Sequence, residues 1–167
     1  MYIPRRDTSS LLNTLAGGRV FPGVHHRASF RVREDGDRYE FEMVSRDGGG
    51  SVRVRGARAS EWPAGSVFAD VGEASEFFRR GSLGYSTSRG SGGYEGLELA
   101  CERWEVEPLA VEFVRSSFFE DSALFPPGSV EFDCALLMRD VPHRWRGMGR
   151  MCCEDAVGVA GAVSRGY

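Results

Sequence analysis

Residues 24–58, VHHRASFRVREDGDRYEFEMVSRDGGGSVRVRGAR, alternate apolar and polar side chains with the period of a β-strand. Phe30 and Val32 face one way while Arg31 and Arg33 face the other. After Asp35-Gly36 the pattern resumes, with Tyr39, Phe41 and Met43 set against Glu40 and Glu42, and then Val52 and Val54 against Arg53 and Arg55. The Asp-Gly pair and the DGGGS run at 47–51 supply the positive φ angles that tight hairpins need. The stretch therefore predicts an antiparallel meander.

The flanks extend this reading. SSLLNTLAGG (9–18) predicts a short helix, with Ser9 or Ser10 accepting from the free amides of its first turn and Gly17 or Gly18 closing it in the left-handed region. DVGEASEFFRRG (70–81) predicts a second: Asp70 and Glu73 have the spacing of a capping box, and Ala74, Phe77 and Phe78 share a face. After a flexible RGSGG loop, YEGLELACERWEVEPLAVEFV (94–114) slips phase around Trp104, as a bulge or strand-to-strand bend would make it do. GSVEFDCALLMR (128–139) reads as the last strand, and the Gly- and Ala-rich chain from 148 to 167 as a loose tail. With about seven strands and two small helices, the fold class is mainly β, an antiparallel barrel-like or double-layered sheet forming one domain over residues 1–147.

The 167 residues, 41% hydrophobic and 27% charged, fit one globular domain, and no apolar run approaches the roughly 20 residues of a membrane helix. Arg5, Arg6 and Asp7 stand where a signal peptide needs its apolar stretch, so the chain reads as cytoplasmic, without a membrane partner. A net charge of −3 from interspersed charges provides no field for nucleic acid. Cys101, Cys134, Cys152 and Cys153 lack the spacings of a zinc site, and read as free thiols. All 21 basic residues are arginine, which excludes chemistry through a side-chain amine: a guanidinium does not lose its proton near neutrality.

Candidate site residues follow from residue type and placement. Adjacent on a strand, His25 and His26 point to opposite faces and cannot chelate one metal together, and with only His143 besides these no metal site is expected. Glu131 and Asp133, two apart, would share a face and form either a coupled carboxylate pair or a solvated surface. Arg5 and Arg6, beside a rigid Pro4, either hold a carboxylate or phosphate by paired bonds or pair with strand acids. The expectation is a cavity lined by Arg5 or Arg6 with His25 or His26, taking an acidic ligand, with no cofactor.

YIPRRDTSS (2–10), LAGGRVFPGVHH (15–26), SLGYS (82–86), GLELACERWEVEPL (96–109), SSFFED (116–121) and FPPGSVEFDCALLM (125–138) occur in this order. Together they resemble the YqjF-like bacterial family of the acetoacetate decarboxylase-like superfamily, over residues Tyr2 to Gly147. The resemblance implies a β-rich, barrel-like fold, and makes this chain look like the C-terminal two-thirds of a longer protein. Loss of the preceding segment would leave an unpaired edge through which copies associate. The superfamily's namesake decarboxylates β-keto acids through a lysine Schiff base, and here no lysine exists to carry that role. Where relatives read His-x-Trp-His after the last strand, HRWRG (143–147) has Arg146 in the second histidine's place. Two functions remain: a barrel binding a small acidic metabolite, or a lysine-independent enzyme working on a carbonyl or carboxylate substrate through acid–base groups such as His25, His26 or Glu131.

Overall fold

A computed structural model describes residues 1–16, 22–88 and 93–151. The meander forms as the alternation requires: β2 (His25–Asp35), β3 (Arg38–Ser45) and β4 (Ser51–Arg58) pair antiparallel, with Phe30 opposite Met43, Val32 opposite Phe41, and Phe41 opposite Val54. Gly36 and Gly48 turn the two hairpins at φ values of 58° and 72°. The sheet is extended on one side by β1 (Arg6–Thr8), which runs parallel to β2, and on the other by β7 (Glu107–Ser116) and the two-residue β8 (Leu136–Leu137). These six strands curl into half a barrel. A second sheet holds β5 (Leu83–Thr87), β6 (Tyr94–Cys101) and β9 (His143–Met151) in that order.

Two short helices complete a mainly β fold, α1 (Leu11–Ala16) and α2 (Val71–Arg80). Asp70 caps α2 by accepting from Glu73 N–H at 2.9 Å, and the Glu73 carboxylate reaches back to Ala69 N–H at 2.7 Å, so the expected box closes one residue further out. Trp104, which the phase slip placed in a strand, lies in the connection between β6 and β7 and donates its indole N–H to Ser75 of α2 at 2.9 Å. The slip marks a passage from one sheet to the other, the bend that the pattern predicts.

Two expectations are corrected. The alternation over 128–135 makes no strand; only Leu136–Leu137 pair, because Asp133 is taken by Ser66 Oγ and Val67 N–H at 2.8 and 2.9 Å and holds this segment against the chain before α2. Glu131 and Asp133 are thus not neighbours on a strand face. The chain also stays ordered past Gly147, since β9 pairs with β6 through Met151. The remaining tail with Cys152 and Cys153, the glycines 17 and 18, and most of the RGSGG loop lie outside the described residues.

Among the described residues, only Ala28, Tyr39 and Ala74 are buried hydrophobic residues. The half-barrel has two unlike faces. On one, ion pairs join Arg31 to Glu42, Arg53 to Glu40 and Arg55 to Glu112. On the other stand Phe30, Val32, Phe41, Met43, Val52, Val54 and Val114, with Val32 still 60% exposed. An antiparallel sheet with one solvated and one apolar face is ordinary; here Phe30, Val32 and Val114 of the apolar face stay exposed, while Phe41, Met43, Val52 and Val54 are part-buried.

Candidate functional site

Residues 1–8 belong to both sheets, and this double membership places both arginines. Tyr85 of β5 donates to Met1 O at 2.8 Å and Ile3 donates to Tyr85 O at 2.7 Å, while Arg6–Thr8 pair with His25–Arg27 of β2. Side chains alternate along the extended strap, so Arg5 and Arg6 leave on opposite sides.

Arg5 goes to the β3–β4 hairpin. Its Nε and Nη2 donate to Asp7 at 2.9 and 3.2 Å, and Nη2 also reaches the Asp47 oxygens at 2.7 and 2.9 Å. His26 Nδ1 donates to Asp47 Oδ2 at 2.8 Å, and Gly49 N–H donates to Oδ1 at 2.9 Å. Ser45 Oγ donates to Asp7 at 2.5 Å. The Arg5 guanidinium, followed by the Gly49 amide and His26, holds the Asp47 carboxyl well below the usual carboxylate range. With Nδ1 on Asp47, His26 Nε2 is left without a described partner on a part-exposed ring.

Arg6 goes inward. Only 8% exposed, it donates to three main-chain oxygens: Pro22 at 2.6 Å, Gly84 at 3.3 Å and Glu95 at 3.4 Å. Burial pulls its pKa down while the Glu95 charge opposes that. Glu95 accepts from Gly23 N–H at 2.6 Å and from Arg150 Nε at 3.2 Å. His25 donates to the same Pro22 oxygen at 3.1 Å; burial first, then the nearby Arg6 charge, lowers its pKa, so it is neutral at pH 7. Gly23, at φ 80°, is irreplaceable here: a Cβ would lie 2.5 Å from Arg6 Nη1 and 2.7 Å from Ser86 Oγ.

The structure thus pairs Arg5 with His26 through Asp47, and Arg6 with His25 through Pro22. It leaves Glu131 apart, exposed in the connection between β7 and β8. No groove among five on the surface is lined by Arg5, Arg6, His25, His26 or Glu131. Arg5 is held by the carboxylates of Asp7 and Asp47, and Arg6 by main-chain oxygens through Nη1 and Nη2, while its buried Nε has no partner among the described residues. Among the described residues no cluster of His, Cys, Asp and Glu could hold a metal ion.

A groove of about 370 Å³ lies elsewhere, at one end of the apolar sheet face. Val32, Phe41, Val54, Leu109, Leu137 and Met138 give it an apolar floor, and Glu34, Glu40, Arg139 and Asp140 supply its charges. Glu40 is committed to Arg53 and Arg33 on the polar face. Arg139 is exposed, and no described carboxylate pairs with it. Sequence reasoning missed it because LLM followed by Arg139 looked like a strand's end; the Arg-Asp pair directly before Val-Pro was the available signal.

No family model matches this chain, and no match was found among the curated proteins or the solved structures. Among the described residues no helix is long and apolar enough to cross a membrane.

Proposed function

We propose that this chain binds a small molecule with an apolar body and a carboxylate, the body lying on the open sheet face and the acid on Arg139. One observation carries the reading: the groove joins an apolar floor to a guanidinium that no described carboxylate occupies. Arginine's fork suits a carboxylate, and a concave apolar site with a few polar groups is the usual form of a ligand pocket. The absence of lysine keeps Schiff-base decarboxylation out of the proposal. A cytoplasmic setting and kinship with the YqjF-like family belong to the same proposal.

Saturation-transfer NMR with 4-methylpentanoate tests it. The protein should give transfer to the methyl protons, and Arg139→Met should weaken binding by about tenfold, the loss of one charge-assisted bond. Equal binding by both proteins would remove Arg139 from the site.

A second reading, acid–base catalysis, is favoured by the Asp47–His26 pair, which orients the imidazole with Nε2 turned away from Asp47. It requires a substrate at Nε2, and His26→Gln should then abolish turnover of a carbonyl substrate while leaving 4-methylpentanoate binding intact.

A further inference from the structure

The charges around the groove are more specific than a carboxylate site requires. Glu34 stands on the apolar face of β2, in register with Tyr39, and Asp140 follows Arg139 in the chain. Both line the groove, and neither carboxylate is paired with a described cation. This differs from the opposite face, where Arg31, Arg33, Arg53 and Arg55 all have acid partners. Three charges therefore remain available at the groove: one positive and two negative.

Asp140 also sits at φ 47°, the one non-glycine positive φ among the described residues. A left-handed aspartate is tolerated better than most residues there, but it is still a constrained conformation, and such conformations gather at binding sites. Here it fixes the direction in which the chain carries a carboxylate past the groove.

A purely anionic ligand on Arg139 would approach Glu34 and Asp140 as well, and like charges oppose it. A ligand that brings a cation beside its carboxylate meets all three groups favourably. We infer that the groove takes a zwitterion with an apolar side group, of the class of the apolar α-amino acids: carboxylate on Arg139, ammonium between Glu34 and Asp140, and side group on Phe41, Val54 and Leu137. The volume of about 370 Å³ is at the lower end of small-molecule pockets, as this class needs.

This inference rests on the proposed carboxylate site, and the test separates the two. Leucine, 4-methylpentanoate and 3-methylbutylamine share one branched side group and differ in their charges. Each is titrated by NMR into the native chain and into Glu34→Gln and Asp140→Asn; asparagine keeps the tolerance for positive φ. Leucine should bind at least tenfold more tightly than either relative, and the two variants should erase that preference, with 4-methylpentanoate bound at least as tightly as by the native chain because a like charge has been removed. If 4-methylpentanoate binds as tightly as leucine, the zwitterion is wrong and the carboxylate site stands. If neither binds, both are wrong.

Discussion

The Arg6 guanidinium donates to the main-chain oxygen of Glu95, 89 residues away, and so ties the strap beside β2 to the middle sheet strand β6. The Glu95 carboxylate in turn holds Gly23 N–H and Arg150, which brings in the chain before β2 and the edge strand β9. Polar bonds join the two sheets where a larger domain would use packed side chains. This fits a molecule whose buried hydrophobic residues, among those described, are Ala28, Tyr39 and Ala74.

Arg6→Met should therefore be costly although it keeps much of the side chain's volume. It removes the donors from three inward-facing carbonyls, and the loss is expected at about 3 kcal/mol, from one or two orphaned buried groups. Urea unfolding measures it. A change under about 1 kcal/mol would mean that the sheets are fastened elsewhere.

The Asp47 clip predicts an acid limb. A carboxyl whose folded pKa is depressed contributes stability that is present above its unfolded pKa, about 3.9, and is lost as pH falls through the folded value. Asp47→Asn should be less stable than the native chain near neutrality and should lose less on acidification below about pH 4. Urea midpoints from pH 2 to 7 test this, and parallel curves would show that the clip contributes nothing.

His25 works in a higher window. Its folded pKa is lowered by burial and by Arg6, so the unfolded chain binds a proton first as pH falls. Stability should decline from about pH 6.5 down to the folded pKa and then level off. The imidazole resonances of His25 in an NMR titration should move below those of a free histidine; a midpoint at or above about 6.5 contradicts the burial seen here.

Strand formation was legible where alternation and partner coincided. Val32, Phe41 and Val54 alternate with arginines and glutamates, and the Gly36 and Gly48 turns bring those very residues into register. At Val130, Phe132 and Cys134 the same alternation misled, because period two says which side chains can share a face and says nothing about a neighbouring strand. Arg5 and Arg6 were legible as cations that hold an anion or pair with strand acids, but their partners were not. Asp47 lies 42 residues from Arg5, and Arg6 uses main-chain oxygens that carry no residue signature. The groove was hidden for a related reason: Glu34, Arg139 and Asp140 meet only when β7 and β8 close on the meander.

The open apolar face makes the final prediction. Phe30 is 41% exposed, Val32 60% and Val114 38%, on a face whose other side is covered with ion pairs. Contiguous exposed apolar surface of several hundred Å² is uncommon on monomeric proteins and acts as a contact for copies of the chain. Two such faces can stack at about 10 Å in the manner of a β-sandwich. The protein should therefore associate as its concentration rises, measured by sedimentation, and should bind a hydrophobic dye at dilutions where it is monomeric. Phe30→Glu places a charge on this face without touching Arg6, Asp47 or Arg139, so it should suppress both association and dye binding while the fold persists. A native chain that sediments as a monomer at every concentration and leaves the dye dark would mean that this face is covered after all.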